Sequence, residues 1–219
     1  GITDPWQPSE LSVAAFQEGI ETTTIGVGNN YEPRVMSTIA EYGAGGYYYL
    51  PDASAIRQVL QAELDVRAHP VARGVEVRIN LADGVQLLEA YGSRRLSEAE
   101  AQRVRSTEVA IDRNLSRREG IQQDRQEDRH GGMRFFIPGF ARNDQHTILL
   151  RLRVQPGQGT LNLANVELRY KDRVTRSNQG DEREVQVSYG TNDAQALASQ
   201  DREVRRAVFS FRTGQAMLE

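Results

Sequence analysis

Apolar residues between positions 9 and 68 recur at two alternating periods. Leu11, Ala14, Ala15 and Phe16 fall largely on one side of a helix over 9–18, with Ser9 placed to cap it and Gly19 placed to stop it. Residues 20–28 (IETTTIGVG) are β-branched and end in glycines, which suits a strand running into a tight loop. Helical spacing returns over 30–42 through Val35, Met36, Ile39 and Ala40, and Gly43 closes it. A short apolar strand at 46–50 and a turn at Pro51-Asp52 lead into a helix over 53–68 through Ile56, Val59, Leu60 and Leu64. The order helix-strand-helix-strand-helix predicts parallel strands joined by right-handed crossovers.

At His69-Pro70 the period changes from 3.6 to 2. Val75, Val77, Ile79 and Leu81 alternate with Glu76, Arg78 and Asn80, and Asp83-Gly84 turns the chain into 85–91, so a hairpin with one wet face is expected. Further strands are expected at 133–137, 146–154, 161–170 and 184–189. The apolar parity shifts from Leu161 and Leu163 to Val166, Leu168 and Tyr170, which requires a bulge near Ala164-Asn165. Short alternating strands between turns argue for an antiparallel β-sandwich. Residues 94–131 interrupt it with dense charge of both signs and a capping box at Ser97 and Glu100, expected to form one or two solvated helices. A C-terminal helix presents Val204, Ala207, Val208 and Phe211 on one face and should dock on an apolar surface. The expected architecture is α/β plus all-β: residues 1–68 in a partial doubly wound α/β unit, 69–192 in the sandwich, and 193–219 in the terminal helix.

Composition narrows the function classes. The 219 residues are 38% apolar, enough for a sizeable core, and 27 cationic against 30 acidic side chains leave a net charge of -3. No bulk positive potential exists to draw a polyanion, so no nucleic-acid partner is expected. All but one of the cationic residues are arginine, the exception being Lys171. Without cysteine there is no disulfide scaffold, thiolate metal site or thiol nucleophile. No run approaches the 18 or so apolar residues of a membrane span, and the first residues lack the basic and apolar regions of a secretion signal, so any such signal is expected to have been removed or to lie upstream. The loop-like start at 1–9 and the lack of an initiator Met lead us to expect a piece of a longer protein.

Candidate chemistry is sparse. Gly26-Val27-Gly28 sits between strand and helix as in a dinucleotide-binding turn, but Tyr31 stands at the third glycine and Glu32 opens the helix, so a plain strand-to-helix turn is favoured. Asp52-Ala53-Ser54-Ala55-Ile56 imitates an Asp-x-Ser-x-Ser cation loop but ends in Ile, which favours Asp52 as a helix cap. His69, His130 and His146 are too scattered for a zinc site. The run 124–130 interleaves carboxylates with arginines and reads as a solvated ion-pair face. Tyr47, Tyr48 and Tyr49 could form an aromatic platform, with core packing the favoured reading. Asn114-Leu115-Ser116 is a bare glycosylation sequon, and no catalytic nucleophile elbow or Walker loop is present.

Several separated motifs agree with one family. Gly1-Ile2-Thr3-Asp4-Pro5, then Glu18-Gly19-Ile20-Glu21-Thr22-Thr23-Thr24-Ile25-Gly26-Val27-Gly28, then Ile39-Ala40-Glu41-Tyr42-Gly43-Ala44-Gly45-Gly46-Tyr47-Tyr48-Tyr49 resemble, in order and spacing, the second half of bacterial von Willebrand factor type A (VWA) domains. The resemblance covers roughly residues 1–68. The strands that follow, including Val166-Glu167-Leu168-Arg169-Tyr170-Lys171-Asp172, look more loosely like the β domain found after such modules.

The resemblance implies a partial Rossmann-like sheet and a non-enzymatic protein-binding or adhesion function. It places the module at the cell surface or in the periplasm, with Mg²⁺ or Mn²⁺ bound at the top of the intact domain. The family's metal motifs would precede Gly1, so Asp4 is not assigned as a ligand and this stretch is expected to hold no metal or cofactor. A protein partner would meet the loop Gly26, Gly28, Asn29, Asn30 and Tyr31, because ligands bind at the carboxyl ends of strands in doubly wound sheets. The strand over 22–28 would lack its upstream neighbour, so pairing with a second copy through that edge is expected, or packing against the sandwich and last helix. The rival reading is a metal-independent scaffold whose sandwich binds a partner chain or glycan, and a nucleotide enzyme acting through Gly26 and Gly28 stands third.

Overall fold

The computed structural model describes residues 6–18, 20–28, 30–91, 98–125 and 131–218. Helix α1 (Trp6–Gln17), strand β1 (Thr22–Val27), helix α2 (Pro33–Tyr42) and strand β2 (Ala44–Leu50) follow one another, and β1 and β2 pair in parallel from Thr22↔Ala44 to Val27↔Leu50. The apolar face of α2, with Val35, Ile39 and Ala40 buried, packs on both strands. Gly45 is required at the start of the pair, because a Cβ there would run into the backbone of Thr22 and Thr23. A single 3₁₀ turn (Ala53–Ala55) then leads into α3 (Ile56–Ala68).

Beyond Pro70 the chain is largely antiparallel. Strands β3 (Ala72–Leu81), β4 (Gln86–Tyr91), β5 (Met133–Phe140), β6 (Leu149–Arg153), β7 (Thr160–Asp172) and β8 (Ser177–Ser188) form two sheets. One has the order β5-β3-β7-β8, and the other, among the described residues, pairs β4 with β6. The expected hairpin at Asp83-Gly84 is therefore incorrect. The turn does reverse the chain, with Gly84 at φ 79° and the Val85 N–H donating to the Ala82 carbonyl. However, both edges of β3 are already taken by β5 and β7, so β4 crosses to the other sheet and pairs with β6. Ile79, Phe135 and Ala164 form a core on which Ile148 and Leu150 pack. The register shift expected in β7 falls between Asn162 and Ala164, opposite β8 and just before the anticipated position.

The face expected to be wet is covered. Helix α4 (Glu98–Glu119) lies across Glu76, Arg78 and their neighbours, and its face carrying Val104, Glu108, Asp112 and Leu115 is buried, which corrects the expectation of solvated helices. Alternating polarity predicted solvent there because single-strand periodicity cannot show that a charged face will meet complementary charges.

Glu76 accepts from Arg78 (3.0 Å), Arg134 (3.0 Å) and Arg169 (2.6 Å), and Arg134 continues to Glu108 at 2.6 Å. Burial raises the Glu76 pKa, but the charges of Arg134 and Arg169 and hydrogen bonds from Arg78 and Arg169 outweigh it and hold the carboxyl at about 2. The strap after α4 is pinned in the same layer. Arg125 donates to the Gly74 carbonyl (3.1 Å) at a β3 bulge where Gly74 has φ 57°. Lys171 Nζ lies 2.6 Å from both Asp112 Oδ1 and Asp124 Oδ1, and donates to the Gln122 carbonyl and Asn178 Oδ1 at 2.7 and 2.8 Å.

Helix α1 reaches this layer through Phe16, whose ring centroid is 6.0 Å from that of Phe136. Helices α5 (Asp193–Ala198) and α6 (Arg202–Leu218) end the chain. Phe211 of α6 stacks on Tyr91 at 5.6 Å, which is an apolar contact of the expected kind, while Val204 on the same expected face remains exposed.

Candidate protein-interaction surface

Strands β1 and β2 end side by side, and Gly28 N–H donates to the Leu50 carbonyl at 2.9 Å. Gly28 has φ 71°, a left-handed conformation that turns the chain back on itself and is least costly for glycine. The Tyr31 ring then lies over Gly26, occupying the volume that any Cβ at that position would fill. From there the Tyr31 hydroxyl meets the Tyr47 hydroxyl at 2.8 Å, and its ring centroid is 6.1 Å from that of Tyr49.

The sequence thus builds an aromatic cluster from two distant segments. Glycine at 26 admits the ring, glycine at 28 aims it, and β2 supplies the partners. Tyr47 and Tyr49 are 37% and 51% exposed, so the expectation that the tyrosines serve core packing is overturned. Tyr48 is also exposed, and its hydroxyl bonds to Glu63 Oε1 at 2.5 Å while Thr23 donates to Glu63 Oε2 at 3.0 Å. Helix α3 is tied to the strands by these polar contacts, and its Leu60 and Leu64 stay exposed.

Burial, then the hydrogen bond with Tyr31, pushes the Tyr47 pKa up to about 12. The hydrogen bond to Glu63, then burial, does the same for Tyr48. Both phenols therefore remain neutral at ordinary pH, presenting apolar rings with polar tips, a combination favoured at protein interfaces.

Of the residues expected at a partner-binding loop, Gly26, Gly28 and Tyr31 come together, Asn30 is exposed beside them, and Asn29 lies outside the described residues. Signals for the cluster were present in the sequence as Tyr31 and the run Tyr47-Tyr48-Tyr49. Their contact depends on the parallel register, which spacing alone does not give.

The space beside Gly26 that a dinucleotide phosphate would need holds the Tyr31 ring. Asp52 acts as the expected cap, accepting from the Ser54 N–H at 2.7 Å, and its hydrogen bonds to Ser54 hold the carboxyl below its usual value. His69 follows α3 and His146 precedes β6, while His130 and Asp4 lie outside the described residues. Of the run 124–130, only Asp124 and Arg125 lie among the described residues; Arg125 is buried, which corrects the solvated-face expectation there, while Asp124 is half-buried and paired with Lys171. The described residues contain no group of three His, Cys, Asp or Glu side chains suited to a metal ion, so they do not fit the Mg²⁺ or Mn²⁺ that the resemblance implies for an intact domain. Among them no helix is long and apolar enough to cross a membrane.

Comparison with known proteins bears on the fold. No protein-family model matches the chain. The von Willebrand factor type A protein from Catenulispora acidiphila superposes on 82% of this chain and 38% of its own, with a TM-score of 0.53 at 13% identity. This likeness supports a VWA-like fold. The ArnB paralog VWA2 from Sulfolobus acidocaldarius covers 86% of this chain and 38% of its own, with a TM-score of 0.46 at 16% identity. In sequence, the uncharacterized protein YfbK of Escherichia coli (strain K12) is 34% identical over 80 residues, or 36% of this chain. The match spans 14% of that protein's length.

Proposed function

We propose that the chain is a non-enzymatic, VWA-like protein-interaction module that meets its partner at the cluster of Tyr31, Tyr47 and Tyr49. The observation that carries this reading is the exposure of two aromatic rings on β2, Tyr47 and Tyr49, both braced by the half-buried Tyr31 from the loop after β1. Tyrosines held this way lose little conformational entropy on binding and bring both apolar area and a hydroxyl. The VWA-like fold supports the same class of function.

Adhesion and dependence on Mg²⁺ or Mn²⁺ are further parts of the proposal that concern a longer protein, since the described residues lack the donor set. Edge-to-edge pairing of two copies through β1 is a third part, motivated by a sheet that has two strands among the described residues, so that β1 shows one edge with no described neighbour. Affinity capture with the wild-type chain, the Tyr47→Ala/Tyr49→Ala double variant and an Arg183→Ala control tests the main proposal. The expected result is one partner retained by wild type and control and lost by the double variant; retention by all three would refute the tyrosine site.

The rival scaffold reading draws on β8. This strand lies at the edge of the four-stranded sheet and is exposed along most of its length, leaving one side open to strand addition. Capture unaffected by the tyrosine variants but abolished by proline at outward-facing β8 positions would favour it.

A further inference from the structure

Beneath the C-terminal half of α4 lies a cavity of about 220 Å³ lined by Arg73, Arg118 and Arg173 with Ile111, Asn114, Leu115 and Glu119, none of them in the tyrosine cluster. Liquid water occupies about 30 Å³ per molecule, so the volume suits a carboxylate or phosphate group with a short stem. The donors and acceptors in the cavity are strongly unequal. Glu119 is the lining carboxylate, and Arg173 already holds both its oxygens, with Nε at 2.9 and 3.1 Å and Nη2 at 2.7 Å from Oε1. The remaining Arg173 nitrogen, Nη1, donates to the Pro70 carbonyl. Asn114 Oδ1 is likewise engaged, by Arg117 at 3.0 Å, which leaves its amide N–H groups as donors.

Arg73 stands apart from the other arginines in this layer. Arg78, Arg125, Arg134 and Arg169 each end on a carboxylate or a backbone carbonyl. Among the described residues the Arg73 side chain makes no hydrogen bond and no ion pair, although it is half-buried and its stem runs past Gly139, which has no side chain to obstruct it. Burial first, and then the neighbouring charge of Arg173, lowers its pKa, with Glu119 opposing; the guanidinium remains charged. A half-buried guanidinium whose donors meet no acceptor is costly to hold there and favours an incoming anion.

Three arginines less one carboxylate leave +2 at this site on a protein whose net charge is -3. The nearby carboxyl end of α4 contributes only about -0.5 and does not cancel it. Ile111 and Leu115 form an apolar wall that strengthens an ionic contact by excluding water.

We infer that this cavity is a binding site for a small oxyanion, a carboxylate or a phosphate group, held by the free guanidiniums of Arg73 and Arg118 and the Asn114 amide. Guanidinium forks match the paired oxygens of either group. The site is independent of the tyrosine cluster and stands whether or not that cluster binds a partner.

Calorimetric titration of the 219-residue chain with sodium phosphate and, separately, with sodium acetate tests it, at pH 7 and constant ionic strength set with chloride. Saturable binding of at least one anion is expected, weakened at least tenfold by Arg73→Gln and by the exposed-site variant Arg118→Gln, and unchanged in Arg183→Gln. Circular dichroism reports folding of each variant, and Arg118→Gln keeps the test decisive where Arg73→Gln destabilises the fold. Phosphate binding alone would point to a phosphorylated ligand, and acetate binding to an acidic side chain or chain terminus; either supports the site. No saturable binding of either anion, or binding that Arg118→Gln leaves unchanged, an adventitious ion only, would overturn it.

Discussion

Replacing Glu76 with glutamine removes the carboxylate on which Arg78, Arg134 and Arg169 converge while leaving the shape nearly isosteric; all three cations lose the Glu76 charge, and Arg134 keeps its contact with Glu108. The ordinary glutamate value is 4.5 and the folded value about 2. At about 1.4 kcal/mol per pKa unit, the difference corresponds to about 3 kcal/mol of stability in the charged state. Because Glu76 is 1% exposed, solvent screening removes little of it.

The sign follows from proton counting. Between pH 2 and 4.5 the unfolded chain binds more protons than the folded one, so stability rises with pH there. The contribution is complete above about pH 5 and is lost as pH falls toward the folded value. Urea unfolding of wild type and Glu76→Gln at pH 7, 5, 4 and 3 measures it as the difference between the two proteins, which removes the shared titration of other groups. We expect a pH-dependent difference of about 3 kcal/mol at pH 7, shrinking to less than half at pH 3. A difference below about 1 kcal/mol at pH 7, the level of an exposed pair, or one constant across the series, would refute the reasoning.

Three further outcomes follow from the same geometry. Lys171→Met leaves Asp112 and Asp124 without their ammonium and should cost about 3–5 kcal/mol in urea unfolding, and Lys171→Arg should fail to restore wild-type stability because a planar guanidinium cannot replace a compact ammonium among four oxygens. Gly26→Ala displaces the Tyr31 ring, so spectrophotometric titration should show one tyrosine moving from about 12 back toward 10, with little change in the far-ultraviolet circular dichroism; an unchanged titration would contradict the packing of Tyr31 on Gly26. Light scattering across a concentration series should show a molar mass approaching twice that of the chain, and a mass that stays monomeric would dismiss pairing through β1.

Local elements were readable where one apolar stripe decides the structure, as in α2 with Val35, Ile39 and Ala40. The change of period at Pro70 likewise marked where parallel pairing gives way to antiparallel strands. Pairing across distance was not readable: Asp83-Gly84 announces a reversal, but only the occupation of both β3 edges sends β4 to another sheet. The stripe of α4 was concealed because Glu108 and Asp112 interrupt Val104 and Leu115, making a buried face resemble a solvated one. At the candidate interface, Gly26, Gly28 and Tyr31 were found from their position after a strand, whereas Tyr47 and Tyr49 were assigned to a core that α3 does not complete.

A protein partner is expected to meet the cluster of Tyr31, Tyr47 and Tyr49. Placing a photo-activatable phenylalanine analogue at position 49 and, separately, at the exposed β8 position 183 tests it most directly, with adducts resolved by mass spectrometry after irradiation in the producing cells. A single dominant adduct is expected from position 49, lost when Gly26→Ala is added, and none from position 183. An adduct from position 183 with none from position 49 would contradict it.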